Sequence, residues 1–161
     1  MDEILELLRQ NARISNVDIA AMTKRTVAEV SQDIRALEDG GVILKYAAIV
    51  DPMKDPARKQ GVRAEIEIQV TPERERGFDA LAERIYRFPQ VKSLYLMSGG
   101  YDLKVVIEGD TLQDVAHFVA HKLSSLAGVK STKTLFLLKT YKENDVIYAA
   151  ENLDRREGVT A

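Results

Sequence analysis

Two helix-start signals stand eleven residues apart early in the chain, "SNVD" at Ser15–Asp18 and "TVAE" at Thr26–Glu29. Each has the form in which a hydroxyl caps a backbone N–H three residues on while the acid reaches back to the cap. The interval holds one short helix, "NVDIAAM", and a tight turn, which is helix-turn-helix spacing. A preceding helix is expected from Asp2 and Glu3, which suit its positive end, through Ile4, Leu7 and Leu8 on one face to Asn11. Gly40 and Gly41 suit a helix C-terminus with positive φ, and "VILKYAAIV" beyond them reads as a strand or a two-stranded wing. Pro52, Pro56 and Gly61 crowd the next segment, so residues 51–61 read as a linker after a first domain of residues 1–50.

The helix that starts at Thr26 poses an electrostatic problem, because it carries Glu29, Asp33, Glu38 and Asp39 against Arg35. At 100° per residue, Val30, Ile34 and Leu37 fall within about 80° of Val27 and form the packed stripe. The opposite face presents Ala28, Gln32, Arg35, Ala36 and Asp39. Glu29 is occupied by its cap, Asp33 flanks the stripe and Glu38 lies almost on it, so only Asp39 faces a duplex. Gln32 suits adenine, Arg35 suits guanine and Ala28 a thymine methyl, each good bidentate pair giving about 1–3 kcal/mol of discrimination. Lys24, Arg25 and Thr26 just before the helix, and Lys45 in the wing, complete the candidate DNA-binding set, with the cations placed for phosphates.

The second half changes rhythm. "VRAEIEIQV" alternates strictly, with Val62, Ala64, Ile66, Ile68 and Val70 on one face. Thr71 and Pro72 suit the start of a helix whose stripe runs Phe78, Leu81, Ile85, Phe88 and which Pro89 stops. "VKSLYLM" and "YDLKVVI" flank "SGG" as a hairpin, Thr111 caps a helix with Leu112, Val115, Val119 and Leu126 inward, and "VKSTKTLFLLKTY" reads as one long strand. The expected fold class is α+β, a winged helix-turn-helix followed by a ferredoxin-like βαββαβ domain over residues 62–141, with a charged tail over 142–161.

Both helices of such a domain cover one face of the sheet. Leu94 and Leu96 oppose Tyr95 and Met97, and Leu135 and Leu137 oppose Phe136 and Leu138, so apolar groups are expected on the uncovered face too. A second copy of the sheet is the simplest cover, which implies a homodimer. Dimerisation also bears on DNA. Residues 1–50 hold six bases (Arg9, Arg13, Lys24, Arg25, Arg35, Lys45) and eight acids (Asp2, Glu3, Glu6, Asp18, Glu29, Asp33, Glu38, Asp39), and the whole chain is −2, so one domain should grip a duplex weakly and two linked ones better.

The ordered set of capped helices, "LEDGGVI", a linker, "FPQV" and "SGGYDLKVVI" resembles the Lrp/AsnC family of bacterial and archaeal transcription regulators, over roughly Asp2 to Tyr141. The resemblance implies a RAM-type second domain, dimers that often assemble into octamers, DNA bent or wrapped at promoters, and a small effector, commonly an amino acid. Two departures stand out: the turn "TKR" lacks the family's frequent glycine, and Asp33 occupies a position that is often basic.

Gly99 and Gly100 read on their own as a tight turn with positive φ. By resemblance, Met97, Ser98, Gly99, Gly100, Tyr101 and Asp102 form the effector loop, in which free N–H groups hold a carboxylate, Asp102 takes an ammonium, and Tyr101 and Met97 bound a side-chain pocket. Zero cysteines remove thiolate chemistry and fit a reducing cytoplasmic compartment, as does the lack of a signal-like or membrane-spanning apolar run. No cofactor is expected. Asp114, His117 and His121 share a helix side but lack a fourth ligand for zinc. Two other readings compete: an interaction module that binds no DNA, and a tetrapyrrole (siroheme-type) decarboxylase of the same architecture. The latter needs convergent histidines and bases where this chain has "KQGVRAEIE". No catalytic residues are assigned.

Overall fold

The computed structural model describes residues 2–51, 54, 61–71 and 77–148. The chain divides into two compact units, Met1–Val50 and Asp51–Ala161.

In the first unit α1 (Asp2–Gln10), α2 (Asn16–Thr23) and α3 (Val27–Asp39) pack around Ile4, Leu8, Ile19, Ala20 and Val30. The Ser15 hydroxyl accepts from Asp18 N and donates to its carboxylate, 2.6 Å. At Thr26 the reciprocal cap is complete: its hydroxyl accepts from Glu29 N, and Glu29 Oε2 accepts from Thr26 N at 2.8 Å. The turn between α2 and α3 is made by Lys24 at φ 54°, ψ 39°, whose N–H donates to the Ala20 carbonyl. A left-handed conformation with a Cβ costs about 1–2 kcal/mol, and this is where the expected family glycine is missing.

Three expectations for this unit change. Val27 is exposed, so the buried stripe of α3 is Val30 and Leu37 with Ile34 half-buried. Of the two glycines only Gly41 has positive φ, 69°, whereas Gly40 caps the helix at φ −75°; a Cβ there would stand 2.9 Å from the Ala36 carbonyl oxygen. Val42–Val50 forms no strand. Val42 and Ile43 donate to the Leu37 carbonyl, and the segment then runs without regular structure, with Leu44 87% exposed. A strand needs a hydrogen-bonding partner, and this unit offers none.

The second unit has β1 (Val62–Val70), α4 (Gly77–Tyr86), β2 (Val91–Leu96), β3 (Leu103–Gly109), α5 (Leu112–Phe118) and β4 (Val129–Phe136). The sheet is antiparallel in the order β2-β3-β1-β4, the βαββαβ arrangement. Alternation along β1 sends Ala64, Ile66 and Ile68 into a core shared with Leu103, Val105 and Ile107 and with helix residues Leu81, Ile85, Val115, Phe118 and Leu123. Phe88 and Phe118 meet edge to face at 5.3 Å.

The expected start of α4 at Pro72 falls outside the described residues. Leu112, expected inward, is 51% exposed. α5 continues as a π-helical segment, Val119–Leu123, and Val115 and Phe118 of the helix are buried together with Val119 and Leu123 of that segment. The last strand stops at Phe136. Within the expected tail, β5 (Lys142–Glu143) and β6 (Val146–Ile147) form a hairpin, with Asn144 and Asp145 at φ 48° and 62°. Arg63 fastens it through Glu143 at 2.8 Å.

The face away from the helices carries exposed apolar groups, as expected, set among ion pairs. Lys104 pairs with Glu65 at 2.8 Å and Lys133 with Glu67 at 3.4 Å, while Tyr95, Leu135 and, beside Arg63, Leu137 leave apolar area exposed on this face, with Val106 buried beneath.

Because Lys24 holds a conformation natural to glycine, Lys24→Gly is expected to stabilise the first unit by about 1 kcal/mol, read as a higher urea midpoint. Lys24→Ala keeps the Cβ and is expected to give no such gain.

Candidate nucleic-acid interface and effector loop

The Thr26 cap fixes where α3 begins, and the buried Val30 and Leu37 fix which side of it faces outward. Ala28, Gln32, Arg35, Ala36 and Asp39 are all exposed on the opposite side. Lys24 and Thr26 are exposed at the helix entrance and Lys45 beyond its far end. Among the described residues the side chains of Lys24, Gln32, Arg35 and Lys45 have no intramolecular hydrogen bond or ion pair.

The acids, by contrast, are engaged. Glu29 holds the cap; Asp33 Oδ2 is 2.6 Å from Arg25 Nη1; Glu38 accepts from the Tyr46 hydroxyl at 2.9 Å. Glu38 is thus exposed and satisfied by Tyr46, where periodicity placed it near the buried stripe. Arg25, expected at a phosphate, is half-buried against Asp33. Ser31 accepts from Asn16 Nδ2 at 3.0 Å and ties α3 to α2. Neither the Arg25–Asp33 nor the Tyr46–Glu38 contact has a sequence signature, since each joins residues eight positions apart across a helix end.

The β2–β3 connection is an open, exposed loop. Neither Gly99 nor Gly100 has positive φ, so the tight-turn reading of this pair fails, and a Cβ at either would meet nothing within 4 Å. The loop is instead closed by polar ties. Met97 N donates to the Asp102 carbonyl at 2.8 Å, and Asp102 N to the Ile68 carbonyl at 2.9 Å. Asp102 Oδ2 accepts from Val70 N at 2.7 Å, at the register shift between Gln69 and Val70. Gln69 Nε2 donates to the Gly100 carbonyl at 3.1 Å while its Oε1 accepts from Ser131 at 2.9 Å.

Asp102, expected to take an ammonium, therefore has one oxygen committed to the strand end. Sequence reasoning missed Gln69, whose only signal was its place opposite Ser131 at the end of an alternating strand. Among the described residues the N–H groups of Ser98, Gly99, Gly100 and Tyr101 have no acceptor, and Met97 and Tyr101 flank them. Asp114 is held in the Thr111 cap, and no group of three or more His, Asp or Glu among the described residues is arranged to hold a metal ion. No helix among them is long and apolar enough to cross a membrane.

Residues 3–43 match the family model for a winged helix-turn-helix DNA-binding domain, and residues 63–147 the model for the Lrp/AsnC ligand-binding domain. The uncharacterized HTH-type transcriptional regulator YugG of Bacillus subtilis is 48% identical over 154 residues, covering 96% of this chain and 92% of that protein. The chain belongs to the Lrp/AsnC family. The HTH-type transcriptional regulator FL11 of Pyrococcus furiosus is 26% identical over 141 residues, with 88% and 89% of the two chains covered. A transcriptional regulator of Neisseria meningitidis, solved as its L-Met complex, superposes with a TM-score of 0.71 at 25% identity over 88% of this chain and 89% of that one.

As an Lrp/AsnC protein, the chain is a transcriptional regulator with a DNA-binding winged helix-turn-helix and a ligand-binding domain for a small effector, and the decarboxylase reading is not favoured. The ligand-binding match extends through Ile147, so it takes in the β5–β6 hairpin.

Two carboxylates at the α3 entrance lie below their ordinary values. Glu29 is held under 4.5 because the Thr26 hydroxyl and then its backbone N–H bind the charged form. Asp33 is held under 3.8, chiefly by its hydrogen bond from Arg25. Their contribution to stability is complete above about pH 4.5 and is lost as the pH falls through the lower folded values. Glu29→Gln is expected to flatten this acid limb, measured as the urea midpoint of the first unit between about pH 5 and 3.

Proposed function

We propose that this regulator reads promoter DNA with the outer face of α3. Gln32 and Arg35 meet base edges, Ala28 packs on them, and Lys24, Thr26 and Lys45 meet the backbone. The observation that carries this reading is the division of labour on α3: Glu29, Asp33 and Glu38 are bound within the unit, while Lys24, Gln32 and Arg35 are exposed and uncommitted among the described residues. Only Asp39 opposes a duplex, at the end of the helix away from the entrance.

One such unit grips weakly, and the active species is a homodimer or a larger ring in the cytoplasm, whose linked half-sites raise the local concentration of the second contact. Support comes from apolar side chains that the single chain leaves exposed, among them Leu44, Ile49, Tyr95, Leu135 and Leu137. The effector is an amino acid or similar zwitterion at the β2–β3 loop, its carboxylate on the N–H groups of Ser98–Tyr101 and its side chain between Met97 and Tyr101. The L-Met complex of the Neisseria relative supports this class of ligand.

Arg35→Ala is expected to relax base preference at one position of the footprint, whereas Lys24→Ala weakens binding to all sequences alike and lowers the salt slope by about one. Equal losses on specific and random duplexes for Arg35→Ala would remove its assignment as a base reader. Calorimetric titration of the twenty amino acids tests the second domain, and silence from all of them would remove the zwitterion reading.

A further inference from the structure

Arg25 stands immediately before the Thr26 cap, at the N-terminal end of α3, the end that a recognition helix brings to the duplex. Its side chain lies back along the helix flank to Asp33, with Nη1 2.6 Å from Oδ2. The turn does not depend on this pair for its shape. The backbone N–H groups of Lys24 and Arg25 both donate to the Ala20 carbonyl, and the next residue is fixed by the Thr26–Glu29 cap.

The two side chains are 30% and 20% exposed, which places the ion pair at the solvent boundary, where it can exchange partners. Glu29 and Glu3 add negative potential at the same guanidinium. A guanidinium fork fits a carboxylate and a phosphate by the same parallel N–H donors, so the two compete for one site.

The geometry points to Asp33 as an internal stand-in for a DNA phosphate: it occupies Arg25 in the free protein and holds the affinity of each reading unit down by one backbone contact. This rests on the DNA reading of α3 proposed above. It assigns Asp33 a tuning role that its place on the flank, away from base edges, would not suggest. The pair sets how tightly any sequence is held and leaves the choice of sequence to Gln32 and Arg35.

Fluorescence anisotropy of the full chain on a random duplex, from about 50 to 200 mM salt, tests this. Asp33→Asn is expected to bind about five- to tenfold tighter near 0.1 M salt and to steepen the log–log salt slope by about 0.9 per protomer. The gain should be largely lost in the Arg25→Gln background, and Asp33→Glu, which keeps the carboxylate, should bind like the parent.

Asp33→Ser measured in parallel, with melting curves for every variant, separates a folding defect from a binding effect. Weaker or unchanged binding by folded Asp33→Asn and Asp33→Ser would overturn the inference, because the carboxylate would then orient Arg25 or stand idle. An equal gain in the Arg25→Gln background would also overturn it, since Asp33 would then simply repel DNA. Absence of binding by the parent and every variant at the lowest salt would sink the DNA reading itself; a parent that binds without a gain in the Asp33 variants sinks the masking alone.

Discussion

The ion pairs and hydrogen bonds that hold the carboxylates of α3 decide what the first unit can do. A helix with four acids is a poor ligand for a polyanion if those acids are mobile. Here the Thr26 cap turns Glu29 back on the helix start, Arg25 draws Asp33 to the flank and Tyr46 takes Glu38. Each contact is worth little in stability at an exposed position. Their importance is directional, because they leave a face of α3 on which Gln32 and Arg35 set the local chemistry. This arrangement of charge reconciles the unit's negative balance with the DNA-reading role proposed for α3.

The second unit solves a different problem with similar means. Its core takes one face of the sheet, and packing against α4 and α5 leaves the other face to ion pairs between neighbouring strands, Glu65 with Lys104 and Glu67 with Lys133. Such pairs share the face with apolar side chains: Tyr95, Leu135 and Leu137 stay exposed among the charged groups. At the end of the sheet, Asp102 and Gln69 extend this polar bracing to the β2–β3 loop. The loop is held open by contacts made from its two ends, so its central N–H groups face solvent as donors with no acceptor among the described residues.

Much of this was legible in the sequence, for a physical reason. Caps are set by residues three positions apart, strand faces by alternation and helix faces by a period near 3.6, so Ser15, Thr26, Thr111, β1 and the order of elements could be read locally. What failed was whatever depended on a partner. Leu112, on the stripe by period, stands exposed in the first turn of α5, where the helix end leaves it uncovered. Val42–Val50 has strand composition but no strand to pair with in its unit. Gly99 and Gly100 looked like a turn because glycine permits positive φ, yet permission is not requirement, and strand-end contacts of Asp102 shape the loop instead. On α3, periodicity placed Gln32 and Arg35 outward, where both are exposed, but could not see that Arg25 would find Asp33 or that Glu38 would find Tyr46.

Lys24 at the α2–α3 turn and the Arg25–Asp33 pair meet at the start of α3. A glycine there would relieve the backbone at φ 54° but would contribute no charge at the helix entrance. With Arg25 facing Asp33, Lys24 is the cation at that entrance with no internal partner among the described residues. Lys24 therefore carries about 1–2 kcal/mol of backbone strain and places beside the start of α3 a positive charge with no partner among the described residues. In the DNA reading proposed above, linked copies supply through effective concentration what a single weak contact lacks.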